Sequence, residues 1–226
     1  MRRDFISNVS HELRTPVSVI RANSETLVDG ALDNKKQSKV FAKAILHNAE
    51  RLSDMVSSLL DLSRIDYGEL KLNIEELPIN EHINKAIDSL KNLGKRKNIS
   101  ITCSCSKGKI VLADKNALER ILNNLIENAF KYSDYQSTIN ISTKKVKDYL
   151  EISVKDSGRG IPDEEQDFLF DRFYRTAEAR ATEEKGSGLG LAIVKNLVNN
   201  LNGEVGVKNA KPQGSIFWFT LPLKTS

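Results

Sequence analysis

The chain has 226 residues, 39% of them hydrophobic and 28% charged, which suits one large domain or two small ones with cores of their own. Its net charge of +4 is the small difference between 34 basic and 30 acidic side chains, so no field for nucleic acid follows from it. No run nears the roughly 18 apolar residues of a membrane span, and the N-terminus lacks a signal peptide's apolar core, which predicts a soluble, cytoplasmic chain.

In the first predicted helix Ile6, Leu13, Ile20 and Leu27 recur every seven residues with Val9 between them, the pattern of a bundle seam. With Ile6 at heptad position a, His11 falls at f and faces water. Glu12 lies beside it and Thr15 one turn further on. Pro16 removes a backbone donor inside this helix and is expected to bend it just after the histidine. Gly30, Asp33 and Asn34 break the pattern over 29–36 and predict a turn. A second helix then runs to about Asp66, with Phe41, Ile45, Leu52, Met55, Leu59 and Leu62 in alternating steps of four and three and polar Asn48 at one seam position. Two antiparallel helices cannot bury both stripes alone, so a homodimeric four-helix bundle is expected.

The texture changes after Tyr67-Gly68, which is read as a boundary between domains 1–67 and 68–226. A strand-like stretch from Leu70 leads to Pro78 and a helix over 79–93. Strands are predicted at 99–103 and 109–113, a helix at 115–132, and a hairpin of 139–146 and 149–156 around Lys147-Asp148. Cys103 and Cys105 share one face of the first of these strands and are expected to be small buried hydrophobes rather than a disulfide or a metal pair. Residues 157–186 show no extended core pattern and read as a mobile lid. A helix over 189–201 and strands at 204–207 and 215–223 close the chain, with Trp218 expected in the core.

Several of these segments carry polar residues that packing does not account for. Asn124 and Asn128 lie four apart on one helix face with Lys131 and Tyr132 close by, and a carboxamide oxygen suits Mg²⁺. Asp156, Gly158 and Gly160 follow an apolar strand, where glycines let a ligand approach the backbone, although a plain turn uses the same residue types. Gly186, Gly188, Leu189 and Gly190 run straight into a helix, where glycine amides can cradle phosphate. The spacing is neither that of the dinucleotide fingerprint nor that of a P-loop.

The string His11-Glu12-Leu13-Arg14-Thr15-Pro16 resembles the phosphoacceptor box of the sensor histidine kinases of two-component signalling, and matching boxes follow in order over nearly the whole chain. The helix ERILNNLIENAFKYS resembles the N box, Asp156 to Pro162 the G1 box, Phe170, Phe173, Tyr174 and Arg175 the F box, and Gly186 to Leu191 the G2 box; Gly214-Ser215 is similar to the final glycine box. The resemblance implies an α+β protein: an antiparallel helical hairpin forming a dimeric four-helix bundle, then an α/β-sandwich ATP-binding domain of Bergerat (GHKL) type. It implies a protein-histidine kinase that uses ATP and Mg²⁺, autophosphorylates on His11 and passes the phosphoryl group to an aspartate of a response regulator. Glu12 would orient or deprotonate the imidazole, and Thr15 would position water for the reverse, dephosphorylating reaction. Asn128 would ligate Mg²⁺ with Asn124 beside it, Lys131 would touch phosphate, Tyr132 the nucleotide, and Asp156 the adenine amino group; Phe170 and Arg175 would begin the lid. A longer parent anchored in a membrane is also implied. Two other classes compete: a scaffold that binds a regulator without transferring phosphate, and an ATP-hydrolysing machine of the gyrase, Hsp90 and MutL type. The intact His11, Glu12, Asn128 and Asp156 argue against the first, and the histidine box on a helix pair argues against the second.

Overall fold

The computed structural model describes residues 2–66, 71–177, 179 and 187–224. The chain forms two compact units, Met1–Arg64 and Ile65–Ser226. The boundary expected at Tyr67-Gly68 lies outside the described residues.

The first unit is a helical hairpin of α1 (Arg2–Val28) and α2 (Lys35–Asp66), joined by a 3-10 turn at Ala31–Asp33. Gly30 starts that turn at φ 117°, a left-handed conformation that glycine adopts without a Cβ clash. Asn34 then accepts the Lys36 and Gln37 amides at 3.1 and 3.2 Å and so starts α2. Helix α1 continues unbroken through Pro16, whose ring is buried. Leu13, Ile20 and Leu27 on α1, and Phe41, Ile45, Leu52 and Leu59 on α2, are half-buried, while Met55 and Leu62 are buried. Val17, Val28, Val40, Leu46, Val56 and Leu60 stay exposed. Asn48 satisfies itself locally, donating to the Ala44 carbonyl at 2.8 Å.

In the second unit β1 (Ile74–Pro78) pairs antiparallel with β3 (Ile110–Asp114), and a five-stranded sheet has the order β2-β4-β5-β7-β6. Its strands are β2 (Ser100–Ser104), β4 (Thr138–Val146), β5 (Tyr149–Lys155), β6 (Val205–Asn209) and β7 (Ser215–Pro222). All pairs are antiparallel except β2 with β4. Three helices, α3 (Ile79–Lys97), α4 (Lys115–Tyr132) and a later one described below, complete the sandwich. Strand alternation explains which face they cover: Ile139, Ile141, Leu150, Ile152, Val154, Phe217, Phe219 and Leu221 are buried, whereas Asn140, Ser142, Glu151, Ser153 and Thr220 on the other face are not. Leu118, Ile121, Leu122, Leu125 and Ile126 of α4, none of them measurably exposed, meet that apolar layer.

Helix α4 is the element that presents polar groups to a ligand, and both of its ends are fixed. Asp114 caps the start by accepting from the Ala117 amide at 2.9 Å through Oδ1, and its Oδ2 accepts from Asn73 N–H at 2.9 Å. At the other end the Lys97 ammonium donates to the carbonyls of Phe130, Lys131 and Ser133 at 3.4, 2.6 and 3.4 Å, satisfying acceptors the helix leaves open.

Two expectations are corrected. Cys103 and Cys105 are joined as a disulfide rather than buried as separate thiols: alternation puts both on one face at the sheet edge, Cα atoms 5.5 Å apart, and Cys103 is exposed. Trp218 is half-buried on the outer face of β7, its ring lying over Gly206, and the core aromatics of that strand are Phe217 and Phe219. The apolar run of β7 hides the alternation, so sequence cannot tell which aromatics point inward.

Candidate functional site

The expected site residues fall in both units. His11 is exposed on α1 and Glu12 is half-buried beside it, its Oε2 lying 3.4 Å from the Arg51 guanidinium of α2. The Thr15 hydroxyl donates back to the His11 carbonyl at 3.4 Å, which leaves its oxygen lone pairs facing outward on an exposed residue.

In the second unit a strand end, two loops and two helices converge. Asp156 follows β5 and is buried, 4% exposed. Its Oδ1 accepts from the Gly158 and Ser215 amides at 2.9 and 3.0 Å. Burial pushes the carboxyl up from its ordinary value, and the Gly158 and Ser215 backbone donors pull against that. An ionised carboxylate offers about four acceptor positions, so capacity remains for a ligand donor after these bonds. Gly214, at φ 101°, lets the backbone pass so close that a Cβ would lie 2.2 Å from the Asp156 carbonyl oxygen. A Cβ on Gly158 would lie 2.5 Å from the Tyr132 carbonyl, which binds the Asp156 loop to the end of α4. Ser133 adds to that junction by accepting the Ser157 amide at 3.2 Å. Gly158→Ala is therefore expected to push the loop off α4 and weaken binding of the nucleotide that the sequence resemblance implies by about tenfold or more, a loss a direct titration would read. Wild-type affinity in that variant would show that the junction yields freely.

On α4, Asn124 and Asn128 are both half-buried. Asn124 donates to the Arg120 carbonyl at 2.9 Å, which holds its Oδ1 where a Cβ on Gly190 would sit 2.5 Å away. Asn128 has no protein hydrogen-bond partner among the described residues, so its carboxamide is free for a ligand. Lys131 stands 5.0 Å from the Tyr132 ring centroid, and Tyr132 is exposed. Facing them, Gly190 opens α6 (Gly190–Asn200), preceded by Gly188 at φ 68° and by the Leu189 amide, which donates to the Ser187 hydroxyl at 3.3 Å. Leu189 is fully buried, so its contribution to a site would be its backbone. Gly186 lies outside the described residues.

A four-residue helix, α5 (Asp163–Gln166), and a series of turns lead from Gly160 to the aromatic segment. Phe170 is buried, and Phe173 adopts φ 63° while donating its amide to the Gly188 carbonyl at 2.9 Å. That bond joins the aromatic segment to the glycine turn. Tyr174 packs against Phe168 with ring centroids 5.8 Å apart and planes tilted by 33°, and a guanidinium nitrogen of Arg175 donates to the Ala179 carbonyl. The lid expected over 157–186 falls in part on residues 178 and 180–186, outside the described residues.

Sequence reading missed Asn209 at the end of β6. Its side-chain amide mimics a strand neighbour, accepting from Ile161 N–H at 2.8 Å and donating to the Ile161 carbonyl at 2.8 Å, so it holds the exit of the Asp156 loop. Lys97 and the Ser133 hydroxyl escaped notice too, and Ser215 was noted only for the glycine beside it. None has a local spacing signal, since each acts on backbone that is distant in sequence.

The set fits a magnesium nucleotide. Among the described residues no three His, Cys, Asp or Glu side chains converge as a metal site, but Mg²⁺ commonly takes only one or two protein oxygens and completes its shell with water and phosphate. Asn128 offers such an oxygen, the Gly188 to Gly190 backbone leads into a helix N-terminus, and Asp156 offers a buried acceptor.

Comparison with known proteins agrees with this geometry. Residues 113–225 match the family of histidine kinase-, DNA gyrase B- and HSP90-like ATPases, and residues 1–68 match the His Kinase A (phospho-acceptor) domain. The chain is 38% identical over 221 residues to the sensor-like histidine kinase SenX3 of Mycobacterium tuberculosis, covering 98% of this chain and 54% of that protein. It thus spans about half the length of that relative. Acinetobacter baumannii histidine kinase AdeS has a similar structure, with TM-score 0.79, 26% identity and coverage of 95% of this chain and 98% of that one. The full-length ShkA structure in complex with AMPPNP gives TM-score 0.74 at 25% identity, covering 99% of this chain and 46% of that one. With both family models matching in order, and the helical hairpin and the nucleotide-type sandwich each in place, the chain belongs to the sensor histidine kinases of two-component signalling.

Proposed function

We propose that the chain transfers the γ-phosphoryl group of ATP to His11 and then to an aspartate of a response regulator. The observation that carries this reading is an exposed histidine with a half-buried glutamate beside it on a helical hairpin, in a chain whose second unit sets the loop after the buried Asp156 against the end of α4 and the Gly190 turn against Asn124 of the same helix. Residues 1–67 form the dimerisation and phosphotransfer domain in this reading, and 68–226 the catalytic domain. The exposed Val17, Val28, Val40, Leu46, Val56 and Leu60 support a dimer, because a second hairpin would cover apolar positions that one hairpin leaves wet.

The chemistry is positioning and charge neutralisation. A nitrogen of the His11 imidazole forms a bond to the γ-phosphorus as the bond from that phosphorus to the bridging oxygen breaks, and ADP leaves with the electron pair. Glu12 holds the ring and accepts the proton from its other nitrogen. Asp156 accepts from the adenine amino group, which selects against guanine, since guanine lacks that donor and would leave a buried acceptor unpaired. Asn128 holds Mg²⁺ through its amide oxygen with Asn124 beside it; Mg²⁺ when bound neutralises phosphate charge. Lys131 contacts phosphate, Tyr132 packs on the nucleotide, and the Gly186, Gly188, Leu189 and Gly190 backbone cradles the phosphates. Phe170 and Arg175 set the base of a lid that closes on ATP. Thr15 uses its outward lone pairs to hold the water that dephosphorylates the regulator. No helix among the described residues is long and apolar enough to cross a membrane, and we place this part of a sensor in the cytoplasm.

Incubation of the chain with γ-labelled ATP and Mg²⁺ tests the reading. The expected product is a protein label lost in acid and stable in base, and its transfer to a receiver domain completes the reaction. Phosphate release without protein label would favour a plain ATPase, and neither label nor release would leave a scaffold.

A further inference from the structure

We propose that Arg51 is a positioning residue for phosphotransfer, clamping the Glu12 carboxylate from across the hairpin so that it stays set beside the His11 ring. The inference rests on the phosphotransfer reading and adds to it a residue with no place in the histidine box.

Three observations converge. Glu12 lies 16 residues before the end of α1 at Val28, and Arg51 lies 16 residues after the start of α2 at Lys35. At 1.5 Å per residue both stand about 24 Å from the turn, so an antiparallel hairpin brings them level. Their side chains do meet there, with Arg51 Nη2 3.4 Å from Glu12 Oε2. Second, the Arg51 side chain is only 15% exposed, and its Nε is buried without a hydrogen-bond partner among the described residues. Leaving a guanidinium donor buried and unused carries a cost, and the group that can use it is the same carboxylate, because an Arg fork binds a carboxylate through two parallel N–H donors. Third, the backbone of α1 is weakest where this clamp acts. Pro16 has no N–H, so the carbonyl of the residue four before it, Glu12, loses its helical donor, and the proline ring crowds that carbonyl. The turn that carries the reacting pair lacks one of its own hydrogen bonds, and a side-chain tether from α2 restores part of the lost constraint.

A clamp of this kind acts on the reacting step and leaves nucleotide binding alone, since the residues assigned to nucleotide belong to the other unit. It also needs the fork: lysine keeps the positive charge but donates as a point, without the planar pair of N–H groups.

The test uses the full chain with Arg51→Met, Arg51→Lys, Glu12→Gln and the double variant Arg51→Met/Glu12→Gln, reading the initial rate of His11 labelling over a range of ATP concentrations, with circular dichroism melts of each. In Arg51→Met kcat should fall about tenfold while the KM for ATP is unchanged, because a displaced carboxylate costs rate and not substrate affinity. Arg51→Lys should recover part of that rate. In the Glu12→Gln background Arg51→Met should have no further effect, a non-additivity that general damage to the hairpin would not produce. Full additivity of the two losses, a wild-type rate in Arg51→Met, or a raised KM at unchanged kcat would overturn the proposal. If wild-type protein gives no acid-labile label, the phosphotransfer reading fails and the clamp with it; if wild-type protein labels but the variants behave additively, only the clamp fails.

Discussion

His11→Gln is expected to remove all acid-labile label from the chain while leaving nucleotide affinity within about twofold of wild type. The residue is exposed on α1, so the substitution should change folding stability by no more than about 0.5 kcal/mol. The residues assigned to nucleotide all belong to the other compact unit, Ile65–Ser226, so the substitution removes none of their side chains. The chain has three histidines, and the structure separates their prospects. His82 is 9% exposed, which keeps its imidazole from an attacking geometry. His47 is exposed on α2 and is the competing acceptor. Label that survives in His11→Gln and disappears in His47→Gln would sink the assignment. Labelling with γ-labelled ATP and a fluorescent-nucleotide titration on the same preparations read both halves of the expectation.

Asp156→Asn should lose nucleotide and gain stability. The carboxamide can still accept the Gly158 and Ser215 amides through its oxygen, but it then turns an NH₂ toward the place where the carboxylate would accept from adenine. A hydrogen bond to a charged group is worth about 1.5 to 3 kcal/mol, so affinity should fall by about tenfold to a hundredfold. The stability effect follows from the sign of the pKa shift. Burial raises the Asp156 carboxyl in the folded chain, so over the interval between its unfolded and folded values the native state binds more protons than the unfolded state. Its contribution is most favourable below the ordinary carboxylate range, declines as pH climbs through the raised value, and at neutral pH leaves a net cost of holding a buried charge. Asparagine carries no such cost. The variant should therefore melt above wild type at neutral pH, and the gap should close as the buffer is acidified to the point where the wild-type carboxyl is protonated in both states. A variant that melts below wild type at neutral pH would mean that the donors on Oδ1 outweigh the burial cost.

These two residues also show why a binding site strains the fold that carries it. A buried acid held by backbone amides is a poor choice for packing and a good one for selecting a ligand donor, and its loop needs Gly214 at φ 101° to pass the Asp156 carbonyl.

Local pattern was enough for the elements. Heptad spacing on both sides of the Gly30 turn determined a helical hairpin, and the loss of that spacing after Tyr67-Gly68 announced the strands that follow, the first of them at Ile74–Pro78. The boundaries of α4 match the expected 115–132, with Asp114 as the N-cap and Ser133 as the C-cap residue in the structure. The chemistry-bearing strings were equally legible, since a histidine next to glutamate, two asparagines four apart and glycines at a helix start each declare themselves within a few residues. What sequence could not decide were contacts closed over long separations. Gly214 passes the Asp156 carbonyl and Gly158 the Tyr132 carbonyl by close backbone approaches, and Asn209 reaches Ile161 across 48 residues, so none of these leaves a local period. Cys103 and Cys105 read as two buried thiols until the sheet order placed β2 at an exposed edge, where the pair joins instead. Trp218 and Phe219 are adjacent in an unbroken apolar run, and only the register of β7 against β5 and β6 decides that the phenylalanine points into the core while the indole lies over Gly206. Hydrophobic periodicity specifies which faces of a chain must be hidden; the partner that hides each face, and the polar groups that meet once it is hidden, are set by the tertiary packing.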